Sequence, residues 1–166
     1  MANIHLPRSN AAAAALDDVQ RVCVAYNAYL RSPVTIDHKT QRIVVIAGDG
    51  LDAITMPEEV GRAVWTALAT TLVAGPTIVG PGPHRWTILT QRAARGNLAC
   101  SRQLHLARVN VIPRGAPIVL PTPGDTTQTW SWVEPPRPSL RLPTWSAVMA
   151  IIAHLLAGES VHREAS

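Results

Sequence analysis

Apolar residues recur every three or four positions near the start of the chain, and this spacing predicts a helix over residues 11–30. Ser32-Pro33 ends that helix, because a proline disfavours helical backbone in the residue before it. The β-branched run IVVI at residues 43–46 is stopped by AGDG, which predicts a short strand followed by a turn.

Two further stretches carry helix signals. Residues 55–58 read TMPE, a capping box, and predict a helix that continues to about Val73. Thr144 is suited to cap a last helix that runs through Leu155. The stretch 92–106 is also compatible with a helix, loosened at its glycine.

The remaining pattern consists of short β-branched or Trp-bearing runs divided by glycine and proline, which predicts strands. The predicted strands cover residues 77–79, 86–90, 108–112, 117–121 and 129–133. Helices at both ends and mostly strands between them predict an α+β fold with a mostly antiparallel sheet.

Composition favours one folded domain. The chain has 166 residues, of which 47% are hydrophobic and 16% charged, so it can bury a core of its own. We expect the domain to span residues 11–157, between a flexible leader at 1–10 and a flexible tail at 158–166.

The absence of recognisable targeting signals and the low number of cysteines favour a cytoplasmic protein. The sequence has no run of 18 apolar residues and no signal-peptide pattern at its start. Cys23 and Cys100 are too few for a disulfide framework and lack metal-ligand spacing. We expect both to be free, buried thiols.

The net charge of +4 is unevenly distributed. Residues 1–59 carry five basic and seven acidic groups, and residues 125–166 carry three and four. Residues 60–124 carry no acid, which favours a polyanionic partner if the basic groups share a face, and otherwise means a solvated surface. This segment contains seven arginines: Arg62, Arg85, Arg92, Arg95, Arg102, Arg108 and Arg114.

The stretch GPGPHRW at residues 80–86 resembles a phosphate-binding loop only in its glycines. A P-loop needs a lysine and a following Ser or Thr, and a dinucleotide fingerprint needs a helix after the glycines, whereas a strand is predicted here. The alternation of a strand places His84 and Trp86 on one side and Arg85 on the other. His84 is then either a phosphate contact or a structural residue.

Tryptophans on the predicted strands allow two interpretations. With interleaved arginines, Trp86, Trp130 and Trp132 could form a stacking face for single-stranded nucleic acid. However, the chain has no Phe, so Trp has to supply core bulk. For Trp130 and Trp132 we favour the inward orientation.

Several segments, in this order, carry a resemblance to a known family. They are AGDGLDAITMPEEVGRAVWTAL, GPGPHRWTILT, VNVIPRGAPIVLPTPG, TWSWVEPP and LPTWSAVMA, and they cover roughly residues 40–155. This pattern resembles the N-terminal Prim-Pol domain of bifunctional DNA primase/polymerases, in the archaeo-eukaryotic primase superfamily. In particular, it resembles a shortened, divergent version that is common in actinobacteria.

The resemblance implies an RRM-like sheet that carries three motifs. His84 matches the histidine of the second motif. The first motif, a pair of carboxylates separated by one residue, falls on Asp49 and Asp52, which are three apart. The third motif needs an acid near residues 109–114, where there is none. Because two-metal nucleotidyl transfer needs several carboxylates around Mg²⁺ or Mn²⁺, the resemblance implies a degenerate active site.

Three functional hypotheses follow. The first is a non-catalytic Prim-Pol-like domain, connected with DNA replication, which binds nucleic acid or a nucleotide and needs no cofactor. The second is a protein-interaction or dimerisation module, and the third is a residual primase/polymerase with Mg²⁺ or Mn²⁺ on Asp49 and Asp52. The first hypothesis assigns phosphate contacts to His84, Arg85, Arg92, Arg95, Arg102, Arg108 and Arg114, with Trp86 as a possible stacking residue.

Overall fold

The computed structural model describes residues 8–71, 73–82, 84–94, 102–122 and 129–164. The helices in these ranges are α1 (Arg8–Leu30), α2 (Glu58–Thr70), α3 (Arg102–Leu106) and α4 (Trp145–Glu164). The strands are β1 (Val34–Asp37), β2 (Arg42–Ile46), β3 (Leu51–Pro57), β4 (Thr77–Val79), β5 (Arg85–Gln91), β6 (Asn110–Val111), β7 (Pro117–Leu120) and β8 (Ser131–Glu134).

The strands form two antiparallel sheets. The smaller has the order β1-β2-β7 and the larger the order β6-β3-β5-β4-β8. This arrangement of helices and antiparallel sheets confirms the predicted α+β class. Within the described residues, no helix has the length and apolar character needed to cross a membrane.

The larger sheet contains a split β-α-β unit. Along the chain the elements run β3, α2, β4, β5, α3, β6, and β5 lies between β3 and β4. Since β3 and β4 both pair antiparallel with β5, they run parallel to each other. β6 then returns to the free side of β3, completing a β-α-β-β-α-β connectivity. The starts of β5 and β6 therefore lie beside the end of β3.

The larger sheet is covered differently on its two faces. On one face, Ile54 and Met56 of β3 pack with α2 and α4 in one core cluster. On the other face, Leu51 and Ala53 belong to a second cluster, shared with α1 and the smaller sheet. Thr55 follows on this second face and is only partly buried. The end of β3 is thus less covered than its beginning.

The predicted capping box at residues 55–58 is wrong. Thr55 lies inside β3, whose seven residues all pair with β5. Pro57 occupies the N-cap position of α2, and no side chain caps that helix. Long-range strand pairing outweighs the local cap signal here, because a paired strand satisfies several backbone groups at once.

The other helix signals agree better with the structure. Ala147 N–H donates to the Thr144 hydroxyl at 3.3 Å, as expected of an N-cap. Helix α1 begins at Arg8, inside the predicted leader, and α4 extends to Glu164, inside the predicted tail. Residues 92–94 are not helical, so the helix predicted over 92–106 is reduced to α3 in the described residues.

The predicted inward orientation of Trp132 is supported by its contact with Tyr26. The indole N–H of Trp132 donates to the Tyr26 hydroxyl at 2.8 Å, and that hydroxyl donates to the Pro121 carbonyl at 3.0 Å. The two rings meet edge to face, with centroids 5.6 Å apart. Burial raises the pKa of Tyr26. Trp130 also packs against this core and carries the Arg42 guanidinium 4.2 Å from its ring centroid.

A buried ion pair joins β3 to the loop before β7. Asp52 is fully buried, and its carboxylate accepts hydrogen bonds from Arg114 Nη2 at 2.9 Å and from the Ala93 N–H at 2.8 Å. Arg114 Nη2 also donates to the Ala93 carbonyl at 2.8 Å. The bond to Asp52 raises the pKa of Arg114 above its usual value. A carboxylate that is buried away from water needs a cationic partner, because its charge is otherwise uncompensated.

The stem of Arg114 passes over Gly48. A Cβ placed on Gly48 would lie 2.6 Å from Arg114 Cγ, and Gly48 has a φ of +87°. Glycine therefore suits this turn both by its conformation and by the space it leaves. The arginine that sequence reasoning assigned to a phosphate contact is instead a structural partner of Asp52.

We expect Asp52→Ala to lower the free energy of unfolding by about 3 kcal/mol, because Arg114 and the Ala93 N–H lose their acceptor. Urea unfolding followed by circular dichroism measures the loss. Asp49→Ala is the control: Asp49 is exposed in the neighbouring turn, so its effect should stay within about 0.5 kcal/mol. Equal losses in the two variants would contradict the structural role of Asp52.

Candidate nucleic-acid interface

The GPGPH loop is the connection of the β4–β5 hairpin. Gly80 N–H donates to the Arg85 carbonyl at 2.9 Å, which closes the hairpin. Gly80 has a φ of +132°, and the Thr129 carbonyl occupies the space that a side chain would need. Since prolines have no N–H, Pro81 and Pro83 offer no donor to a phosphate. Three of the five loop residues, Gly80 and the two prolines, therefore have no free backbone N–H for a phosphate.

His84 lies at the tip of this hairpin, just before β5. Its side chain is 85% exposed, and Nδ1 is 3.6 Å from Glu58 Oε2. Glu58 also pairs with Arg62, one turn later in α2. The His84 carbonyl accepts the Glu58 N–H at 3.0 Å. The backbone of His84 therefore supports the start of α2, while its imidazole faces solvent beside an acid.

Arg85, the next residue, is held by hydrogen bonds to strand β3 and to the turn before β6. Its Nη1 donates to the Arg108 carbonyl at 3.1 Å and its Nη2 to the Thr55 hydroxyl at 3.2 Å. A guanidinium has five N–H donors, so these two bonds leave others for a ligand. The side chain is only half-buried. Arg85 is therefore a fixed cation with spare donors on the less covered part of the sheet.

Arg108 and Asn110 complete this group at the start of β6. Arg108 has a φ of +54°, and both side chains are exposed. Asn110 pairs opposite Thr55, and its amide Nδ2 donates to the Arg108 carbonyl at 3.3 Å. We call Thr55, Arg85, Arg108 and Asn110 the polar edge. It brings two of the arginines predicted from the sequence to one place.

The other predicted phosphate contacts are more scattered. Arg92 follows β5 and is exposed, at the opposite end of that strand from Arg85. Arg102 is exposed at the start of the short helix α3, which leads to Arg108. Arg95 and the thiol Cys100 lie outside the described residues. Arg114 is bound to Asp52.

Trp86 is a core residue and presents no open ring for stacking. It is 6% exposed and packs in the cluster beneath α2 and α4. A Cβ on Gly61 of α2 would lie 2.5 Å from Trp86 Cβ, so the helix backbone lies directly on this side chain. The proposed stacking role of Trp86 is therefore corrected, because the alternation of β5 turns it towards the helices.

Asp49 and Asp52, the acids mapped to a Mg²⁺ or Mn²⁺ motif, lie in different environments. The Asp52 carboxylate is taken by Arg114 and the Ala93 N–H, and Asp49 is exposed in the β2–β3 turn. Across the described ranges, no three His, Cys, Asp or Glu side chains are grouped so that they could hold a metal ion. Such a cation requires several oxygen ligands in one place.

Sequence reasoning missed two residues of the polar edge, Thr55 and Asn110. The sequence around Thr55 predicts a helix cap, whereas the residue lies in a strand opposite β6. Asn110 has no local signal for this site, because Thr55, the strand residue opposite it, lies 55 positions away in the chain. An alternation of Leu51, Ala53 and Thr55 along one face would have been the available clue.

Comparisons with known proteins found no match for this chain among family models, curated proteins or solved structures.

We expect Gly61→Ala to destabilise the protein by about 1 to 3 kcal/mol, because the new methyl group collides with Trp86 and the core is already filled. Gly158→Ala in α4 is the matched control: a Cβ there meets nothing within 4 Å. That change should stabilise the protein by about 0.5 to 1 kcal/mol through helix propensity. Thermal unfolding of the two variants measures both effects, and a neutral Gly61→Ala would contradict the packing of Trp86.

Proposed function

We propose that this chain is a non-catalytic Prim-Pol-like domain that binds nucleic acid or a nucleotide through the polar edge. The observation that carries the proposal is the fixation of Arg85 by the Thr55 hydroxyl and the Arg108 carbonyl, with donors left over. A cation held in advance on a sheet loses little conformational entropy when it meets a phosphate.

Charge in the surrounding sequence supports an anionic partner. Between residues 60 and 124 there is no acid, and Arg102, the first residue of α3, and Arg108, just after α3, are both exposed. Glu58, the acid beside His84, is paired with Arg62. Binding would rest on phosphate contacts and the release of counterions, with no reading of base sequence.

Connectivity supports a relation to the Prim-Pol family. The β-α-β-β-α-β order with β5 between β3 and β4 is compatible with the RRM-like sheet implied by the resemblance. His84 lies at the start of β5, beside Arg85. Of the mapped acids, Asp52 is engaged by Arg114 and the Ala93 N–H, and residues 109–114 contain no acid, so the proposal assigns no nucleotidyl transfer to the domain. A cytoplasmic location and a role in DNA replication belong to the same proposal.

A protein-interaction or dimerisation module is the second candidate. Leu106 of α3 and Val24 of α1 are each 71% exposed, and exposed apolar side chains favour contacts with other proteins when they form a patch. Leu106 lies between Arg102 and Arg108 in the chain, next to the polar edge. Association at α3 would therefore compete with a nucleic-acid role.

We expect labelled single- and double-stranded DNA to bind with a log–log salt slope of about −2 to −3, as for three phosphate contacts. Between about 50 and 200 mM salt the affinity should fall roughly 20- to 40-fold. Fluorescence anisotropy measures both quantities. Arg108→Gln should reduce the magnitude of the slope by about 0.7 to 0.9, and His84→Ala tests the histidine.

The matched control is Arg21→Gln, which removes one exposed arginine on α1, already paired with Asp17 and Asp18. Its slope should equal that of the wild type. Absence of DNA binding at low salt would overturn the proposal. A concentration-dependent dimer in analytical ultracentrifugation that is abolished by Leu106→Ser would favour the second candidate.

A further inference from the structure

A pocket of about 740 Å³ lies at the far end of β5 from the polar edge. It is bounded by the end of α1, the β2–β3 turn, the end of β5 and the proline-rich segment before α4. The lining residues used below are Tyr29, Arg31, Gly50, Gln91, Leu140 and Arg141. We call it the α1–β5 pocket. Arg85 and Gln91 are six residues apart in one strand, so the two places are separated by about 20 Å.

Hydrogen bonds from Gln91 hold one wall of the pocket. Its backbone N–H donates to the Pro143 carbonyl at 2.8 Å, and its side-chain Nε2 donates to the Leu142 carbonyl at 2.9 Å. The Leu140 N–H donates to the Arg137 carbonyl at 3.0 Å, closing a turn. The backbone that carries Arg141 is therefore anchored to the end of β5 on one side and folded into a turn on the other.

The opposite wall is anchored where α1 ends. Arg31 follows the helix with a φ of +52°, and its N–H donates to the Asn27 carbonyl at 3.0 Å. Gly50 of the β2–β3 turn lies against the next residue: a Cβ on Gly50 would be 2.5 Å from the Ser32 hydroxyl oxygen. The backbone at Arg31 is thus held between the helix and that turn.

Charge in the pocket has one sign. Arg31 and Arg141 are both exposed, and no Asp or Glu is among the lining residues. Among the residues that the structure describes, neither arginine forms an ion pair. The amide oxygen of Gln91 can accept a further hydrogen bond while its nitrogen is held by Leu142. Tyr29 and Leu140 supply apolar surface.

We infer that the α1–β5 pocket binds a small organic anion. A phosphate or carboxylate group would pair with Arg31 and Arg141, since planar guanidinium groups bind both oxyanions through two parallel hydrogen bonds. The uncharged part of the ligand would pack against Tyr29 and Leu140. The Gln91 amide oxygen would accept a hydrogen bond from a donor group of the ligand. The volume suits a ligand of mononucleotide size. The inference is independent of the polar edge.

Isothermal titration calorimetry at low salt tests the pocket with three probes: adenosine 5′-monophosphate, citrate and uncharged adenosine. We expect saturable binding of at least one anion and weaker binding of adenosine. Binding of the monophosphate alone identifies a phosphate as the recognised group, and binding of citrate alone identifies a carboxylate. Arg31→Gln and Arg141→Gln should each weaken the binding at least about tenfold.

Two further variants separate the pocket from general charge effects and from misfolding. Ser139→Trp places a large side chain on an exposed lining residue and should abolish binding while both arginines stay. Arg21→Gln removes one charge elsewhere on α1 and should leave the affinity within about twofold. Circular dichroism checks that each variant is folded.

The inference is overturned if neither anion binds saturably to the folded wild type, if adenosine binds as well as its monophosphate, or if the Arg31→Gln and Arg141→Gln variants keep wild-type affinity. DNA binding by the Arg31→Gln variant reports on the polar edge separately. Failure of one proposal is therefore distinguishable from failure of the other.

Discussion

Burial of the Asp52 carboxylate is the constraint on which the joining of the two sheets depends. Asp52 lies at the start of β3, within the core, and its charge requires a partner that reaches it without water. Arg114 supplies that partner from the loop before β7, a strand of the smaller sheet. The Ala93 N–H and carbonyl bind the same pair. One ion pair therefore links the end of β5, the start of β3 and the loop between the sheets.

The same ion pair changes which arginines of residues 60–124 face solvent. Arg114 is used inside the fold, whereas Arg85 is fixed on the face that α1 and the smaller sheet cover only in part. Arg31 and Arg141, which come from outside residues 60–124, both line the pocket at the other end of β5. The two cationic places therefore lie about 20 Å apart, at opposite ends of β5. The polar edge uses two of the seven arginines of residues 60–124, and the pocket uses none of them.

The sequence predicts only part of the candidate site. Alternation along β5 correctly separated Arg85 from Trp86, because neighbouring side chains of a strand point to opposite faces. It did not say which face meets the helices, so Trp86 was considered for stacking although Gly61 of α2 lies directly on it. The residues around Thr55 carry a complete local signal for a helix cap, but the pairing of β3 with β5 places Thr55 in a strand. The family resemblance stays a prediction.

The sequence by itself determined the α+β class, the helices α1, α2 and α4, and most strands, because side-chain periodicity and proline or glycine breaks are local properties. Tertiary structure decided which distant arginine pairs with the buried Asp52 and which two arginines line one pocket. Asp52 and Arg114 are 62 residues apart, and Arg31 and Arg141 are 110 apart. Strand order and burial decide whether an arginine is paired within the core or faces solvent. No local pattern encodes either of these.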